Sequence, residues 1–143
     1  MDMRQRISFE HFLWIAEAVL QIPYAELEGA VCIFRAEAAL AAPFARIGGV
    51  FLHRDPVERA GICAIRLVRS QLFREYNSKV AYVCMREMLL RGGFVWMQPD
   101  DETDDPPEAF QKLEERAITD AEFLAWVREW VEPGTELEDP PTA

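Results

Sequence analysis

The side chains best suited to chemistry are two histidines and three cysteines, and their spacing argues against a shared metal site. The histidines are His11 and His53, and the cysteines are Cys32, Cys63 and Cys84. Zinc sites usually contain ligand pairs only a few residues apart, whereas these cysteines are widely separated. Each cysteine also lies in apolar sequence, which predicts three buried thiols and no disulfide framework.

A second candidate is the polar stretch from Gln71 to Lys79, which separates two apolar helical patterns. In local terms this stretch is an ordinary connection between two helices. Glu75 and Lys79 would then be solvated, and Asn77 would cap the second helix, because asparagine is a favoured N-cap residue.

The same stretch resembles the signature of the Fic/Doc family, and most closely that of its short death-on-curing toxin branch. That signature reads His-x-Phe-x-Asp/Glu-Gly/Ala-Asn-Gly/Lys-Arg between two helices. The corresponding residues here are Gln71-Leu72-Phe73-Arg74-Glu75-Tyr76-Asn77-Ser78-Lys79. Phe73, Glu75 and Asn77 keep the family's residue types at matching spacing, and Lys79 keeps the positive charge of the arginine.

The surrounding sequence extends the resemblance to roughly residues 7–131. The death-on-curing branch has a Ser/Ala-Ala-Leu-Ala-x-Pro-like run ahead of its motif, and Ala36 to Phe44 form a similar run at a similar distance. The helix after the motif typically ends in Arg-x-Gly or Asn-Gly and an apolar pair, as Leu89 to Val95 do here. Singly these patterns are weak, but their order and spacing are moderately specific.

The resemblance implies a reaction that transfers a phosphate-containing group, AMP or the terminal phosphate of ATP, to a protein hydroxyl. The family's histidine acts as the general base. By the same resemblance, Glu75 would hold Mg²⁺ on the phosphates of ATP, with Phe73 at the core of the motif. Asn77, Ser78 and Lys79 would form the remnant of the phosphate site, at a helix N-terminus.

Three departures from the signature indicate that this chemistry is impaired. Gln71 occupies the histidine's position, and an amide has no useful basicity, so we assign no catalytic residue. Tyr76 replaces a residue that is small in the family. Lys79 lacks the bidentate fork of arginine. As substitutes for the base we weighed His53, expected in an exposed loop near the cleft, and His11, expected to be half-buried and structural.

The helical signals along the chain place these residues in a mainly α fold, a compact Fic/Doc-like helical bundle with room for a short β-hairpin or strand at the cleft. Ser8, Asp55-Pro56 and Thr119 have the form of helix starts, whereas Pro43 and Gly92-Gly93 have the form of helix ends. We expect one domain over residues 1–132, with Pro133 ending the last helix, and an acidic, mobile tail over residues 133–143.

The net charge of −10 is concentrated at the C-terminal end, because residues 98–143 hold 3 basic and 15 acidic residues. Nucleic-acid binding is disfavoured, since phosphate contacts need a basic surface. No stretch is apolar and long enough for a membrane span, and the N-terminus lacks the pattern of a signal peptide. We therefore expect a cytoplasmic protein.

Three functional hypotheses remain open from the sequence. The first is a catalytically impaired Fic/Doc-like protein that binds a protein partner, such as an antitoxin-like peptide, a translation factor or a copy of itself. The second is a divergent nucleotide-dependent transferase that uses ATP and Mg²⁺ at the remnant phosphate site. The third is an oligomerisation or docking face on the last helix around Trp126 and Trp130, whose spacing also suits core packing.

Overall fold

The computed structural model describes residues 3–99 and 105–134, and it is mainly helical. Its elements follow one another in this order: α1 (Phe9–Leu20), α2 (Tyr24–Ala30), α3 (Ile33–Ala41), a 3₁₀ turn (Ala42–Phe44), β1 (Arg46–Ile47), β2 (Val50–Phe51), α4 (Pro56–Ser70), α5 (Asn77–Arg91), β3 (Phe94–Trp96), α6 (Glu108–Glu114), α7 (Asp120–Glu129) and β4 (Val131–Pro133). The prediction of a mainly α fold with short antiparallel pairs is confirmed.

Local capping signals account for where three of the helices begin. Ser8 Oγ accepts a hydrogen bond from His11 N–H at 3.1 Å. Asp55 Oδ1 accepts one from Val57 N–H at 2.9 Å, ahead of the proline at the first position of α4. Thr119 and Glu122 form a reciprocal capping box at the start of α7. Each cap satisfies backbone donors that the helix itself leaves unpaired.

The centre of the fold is α4, which packs against α3, α5, α6 and α7. Its buried face includes Ala60, Cys63, Ala64, Leu67 and Val68. These side chains join a single hydrophobic cluster with the buried faces of α1, α3 and α5 and with Phe110 and Phe123. The helices packed around α4 hold it in place. The segment Gln71–Lys79 follows its C-terminal end.

Two short antiparallel pairs complete the fold. In the hairpin β1–β2, Ile47 lies opposite Val50, and Gly48 and Gly49 between them have φ values of 59° and 80°. A two-residue hairpin turn needs positive φ at both positions, which glycine adopts at little cost. The hairpin precedes α4, whereas the segment Gln71–Lys79 follows α4, so the two lie at opposite ends of this helix.

The second pair corrects the prediction for the C-terminal end of the domain. Pro133 does not end the last helix: α7 stops at Glu129, and Val131–Pro133 forms β4, which pairs with β3. The chain leaves the helix earlier because residues 131–133 gain backbone hydrogen bonds to a remote strand. Residues 135–143, most of the segment predicted as an acidic tail, lie outside the described residues.

Candidate functional site

Two residues with left-handed backbone conformation shape the segment Gln71–Lys79. Gln71 caps the end of α4 with φ 47°, and Tyr76 precedes α5 with φ 66°. Non-glycine residues adopt this conformation at a cost of about 1 kcal/mol. Tyr76 stands where the Fic/Doc signature has glycine or alanine, so this positive φ gives a backbone reason for glycine there. The Tyr76 ring is 59% exposed and lies 5.7 Å from Lys79 Nζ.

The side-chain amide of Asn77 forms two hydrogen bonds with the backbone of Phe73. Asn77 Oδ1 accepts from Phe73 N–H at 3.0 Å, and Asn77 Nδ2 donates to Phe73 C=O at 2.8 Å. The side chain is buried. The local prediction that Asn77 caps α5 is wrong in detail, since Tyr76 is the N-cap and Asn77 is the first helical residue. Asn77 instead closes the loop in front of the helix.

Two further polar side chains of the segment also have partners within the chain. Gln71 Nε2 donates to Val68 C=O at 2.6 Å. Ser78, which is buried, donates from its hydroxyl to Glu114 Oε1 on α6 at 2.5 Å. These bonds fix the segment against α4 and α6.

Phe73 and Glu75 point in different directions from the same loop. Phe73 is half-buried and stacks on Phe12 of α1 with ring centroids 5.8 Å apart. Glu75 is exposed and lines a cavity of about 440 Å³ that Gln71 and Asn77 also line. Phe73 therefore anchors the loop to the core, and Glu75 is available at the surface.

The structure does not gather all the sequence-predicted site residues in one cavity. Lys79 lines a separate cavity of about 990 Å³ together with Tyr82 and Trp130. The reason is helical geometry: Asn77 and Lys79 are both in α5, and residues two apart on a helix are separated by about 200°. Glu75 and Lys79 consequently face different spaces.

Both histidines are half-buried and have partners away from the segment. His53 Nδ1 lies 2.5 Å from Glu58 Oε1, at the start of α4. His11 Nδ1 lies 2.6 Å from a terminal nitrogen of Arg91. Neither lines the cavity beside Gln71. No histidine is among the described residues that line that cavity.

The prediction of buried thiols is confirmed for two of the three cysteines. Cys63 and Cys84 are buried free thiols, whereas Cys32 is exposed at the start of α3, so the prediction of three buried thiols is wrong for Cys32. Burial raises the pKa of the Cys63 thiol to about 12, and it also raises the pKa of Cys84 well above its ordinary value. Desolvation disfavours the thiolate in both cases.

A second group of residues escaped the sequence analysis: four arginines that line a cavity at the other end of α4. They are Arg4, Arg54, Arg59 and Arg91. They are far apart in the sequence, so no short motif contains them. The one sequence feature that points to this cavity is Arg59. It lies between Val57 and Ala60 on the buried side of an amphipathic helix, where a charged residue is unusual.

Comparisons with known proteins add no relative: no family model, no curated protein and no solved structure matches this chain. Within residues 3–99 and 105–134, no helix has the length and apolar character needed to cross a membrane. In the same residues, no group of three or more His, Cys, Asp or Glu side chains is arranged to hold a metal ion.

Proposed function

We propose that the protein is Fic/Doc-like in its segment Gln71–Lys79, lacks the family's group-transfer chemistry, and works by binding a protein partner. The observation that carries the proposal is that three polar side chains of this segment form hydrogen bonds within the chain. Asn77 bonds Phe73, Ser78 bonds Glu114, and Gln71 bonds Val68. A phosphate ligand would have to compete with these bonds.

The missing base supports the same conclusion. A transferase of this kind needs a group that takes the proton of the attacking hydroxyl, which typically accelerates a reaction by about 10²–10⁴-fold. Gln71 stands at that position with its amide nitrogen donating to a carbonyl, and no histidine is among the described residues that line the cavity beside it. The separation of Glu75 from Lys79 in two cavities also weakens a joint role in holding metal and phosphate.

The hairpin β1–β2 offers a surface for a protein partner. Ile47, Val50 and Leu52 are 69%, 47% and 55% exposed. Ile47 and Val50 are cross-strand neighbours, and Leu52 follows β2, with its N–H donating to Ala45 C=O at 2.8 Å. Contiguous exposed apolar side chains of this kind often mark protein-binding sites. We name Ile47, Val50 and Leu52 the hairpin face.

The partner classes expected from the sequence are an antitoxin-like peptide, a translation factor or a second copy of the chain. Affinity capture from cell extract, together with light scattering on the purified protein, tests all three. The variant Ile47→Ser/Leu52→Ser should lose the partner or the self-association. The matched control is Leu90→Ser, because Leu90 is 65% exposed on α5. A wild-type protein that captures nothing and stays monomeric would contradict the proposal.

One observation favours a divergent nucleotide-dependent transferase as the second candidate. The cavity of about 440 Å³ beside the segment is lined by Glu75 together with Arg74 and Arg116. Arg74 and Arg116 have no ion-pair partner among residues 3–99 and 105–134. Two arginines and a carboxylate could hold ATP phosphates and Mg²⁺.

Labelled ATP tests this second candidate directly. Protein and cell extract would be incubated with α- or γ-labelled ATP and Mg²⁺, with Glu75→Gln as the paired variant. Transfer of label that Glu75→Gln abolishes would support the transferase and count against the binding protein. If no labelled product forms with ATP or GTP, the transferase is excluded.

A further inference from the structure

The cavity lined by the four arginines is the most strongly charged concave surface of the described chain. Its volume is about 720 Å³, and it lies between the N-terminal segment, the hairpin, the start of α4 and the end of α5. Small-molecule sites typically have volumes of about 300–1,000 Å³. Among residues 3–99 and 105–134, no aspartate or glutamate lines it, although the whole chain carries a net charge of −10.

Arg59 is the key residue, because its charge is buried and has no counter-ion in the part of the chain that the structure describes. The residue is 6% exposed. Arg59 Nε donates to His53 C=O at 2.7 Å, and the guanidinium carbon lies 4.6 Å from the centre of the Phe51 ring. Among residues 3–99 and 105–134, no carboxylate pairs with Arg59, and its two terminal nitrogens donate to no partner.

An unpaired buried guanidinium is costly, so it is usually paired or bonded to a ligand. The only fully buried side-chain polar atom without a partner in the described residues is Gln98 Oε1. The terminal nitrogens of Arg59 therefore keep some accessible surface, and the cavity that Arg59 lines is the space they reach. A group entering this cavity can accept hydrogen bonds from both of them.

The nearest acidic residues in the sequence do not neutralise Arg59, because they have other partners. Asp55 Oδ2 lies 2.5 Å from a terminal nitrogen of Arg128. Glu58 is bonded to His53 at 2.5 Å and lies 3.8 Å from Arg128. These contacts turn both carboxylates toward α7 and leave Arg59 facing the cavity.

The other arginines differ in how many partners their guanidinium groups already have. Arg91 is held by Glu87 at 2.7 Å, by Arg6 C=O at 2.8 Å and by His11. Arg54 is exposed and has no ion-pair partner within the part of the chain that the structure describes. Arg54 and Arg59 are thus the cations of this cavity best placed to accept an anion.

We propose that this cavity binds the oxyanion group, carboxylate or phosphate, of a small organic molecule. The terminal nitrogens of Arg59 bind two of its oxygens, since guanidinium matches both groups in a bidentate way. Arg54 adds the second positive charge. Val50, Phe51 and Pro56 provide apolar contact for the rest of the molecule. This site is about 18 Å from Gln71 along α4, at about 1.5 Å per residue, and it does not depend on the proposed function.

Calorimetric titration with pyrophosphate and with citrate tests the proposal and separates the two oxyanions. We expect saturable binding of at least one of them, weakened about tenfold or more in Arg54→Ala through loss of one charged contact. Arg59→Lys keeps the positive charge but loses the two terminal nitrogens of the guanidinium, so it should weaken binding further. Thermal unfolding checks that this variant folds. Arg66→Ala is the matched control, because Arg66 is exposed on the same helix and outside the cavity.

One additional variant keeps the result decisive. Asn77→Ala should bind the probes like wild type, which separates this site from the segment at the other end of α4. No saturable binding by the wild type, or equal loss in Arg54→Ala and Arg66→Ala, would overturn the proposal.

Discussion

The side-chain amide of Asn77 bonds both the N–H and the C=O of Phe73, at 3.0 and 2.8 Å. This pair of bonds makes a closed loop of residues 73–77 immediately before α5. Phe73 in turn stacks on Phe12. The residues that most resemble the Fic/Doc signature are therefore also the residues that join α4 to α5, and structural and functional roles can be separated by experiment.

Asn77→Ala should destabilise the fold, because it leaves the part-buried N–H and C=O of Phe73 without their partner. We expect a loss of about 1–3 kcal/mol in the free energy of unfolding. Urea denaturation followed by circular dichroism measures it. Glu75→Ala is the control, since Glu75 is exposed in the same loop, and it should change stability by less than about 0.5 kcal/mol. Equal stabilities for both variants would show that the Asn77 bonds contribute little.

The start of α4 should make stability depend on pH in the acidic range. Partial burial acts to raise the pKa of Asp55, but the Val57 N–H and the Arg128 guanidinium outweigh it, so the pKa lies below its ordinary 3.8. A lowered folded-state pKa stabilises the fold above pH 3.8, and this contribution is lost as the pH falls through the folded-state value.

Asp55→Asn tests this dependence, because asparagine still caps the helix but cannot pair with Arg128. At neutral pH the variant should be less stable by up to about 1 kcal/mol, the range for exposed ion pairs. The difference should disappear at a pH well below 3.8. Asp55→Ala should lose about 1 kcal/mol more at every pH, because it also removes the cap. A difference between wild type and Asp55→Asn that stays constant from neutral to acidic pH would contradict this assignment.

The three thiols should differ sharply in reactivity. Cys32 is exposed, whereas Cys63 and Cys84 are buried. With a pKa of about 12 for Cys63, its thiolate fraction at pH 8 is on the order of 10⁻⁴. Alkylation followed by mass spectrometry should show one fast site in the native protein and three in denaturant. Cys32→Ser should abolish the fast reaction, and rapid native labelling of Cys63 would contradict the described core.

The aromatic cluster between α5, α6 and α7 should carry much of the stability of the C-terminal half. Phe110 is fully buried, and its ring lies 5.2 Å from that of Phe123 and 5.4 Å from that of Tyr82. Phe110→Ala should cost about 3–5 kcal/mol. Phe34→Ala is the matched control, because Phe34 is 82% exposed, and it should have little effect. Thermal or urea unfolding distinguishes the two.

Structural features that depend on neighbouring residues could be predicted from the sequence, whereas features that depend on contacts between distant residues could not. The caps Ser8 and Thr119 were predictable because their hydrogen bonds stay within three residues. The short helix α2 was not predicted, because no side-chain cap marks its start after Pro23. β4 was missed because its partner, β3, is remote in sequence.

The same distinction explains what was predictable about the candidate sites. The segment Gln71–Lys79 is contiguous, so its residue types could be compared with a signature. The separation of Glu75 and Lys79 into two cavities depends on α5 beginning at Asn77, which places Lys79 in the first turn of the helix. The unpaired charge of Arg59 depends on Arg128 engaging Asp55 and Glu58 from another helix. No local pattern reveals that arrangement.

The pairing of β3 with β4 has a consequence for how the chain is made. Phe94 pairs with Pro133, and Trp96 pairs with Val131, so β3 has no partner strand until residues 131–133 have left the ribosome. During that interval the apolar strand Phe94-Val95-Trp96 presents an unpaired edge, a typical starting point for aggregation. By then the central helices have already been translated. Slow synthesis, or truncation before Val131, would therefore prolong the time in which the nascent chain is prone to aggregate.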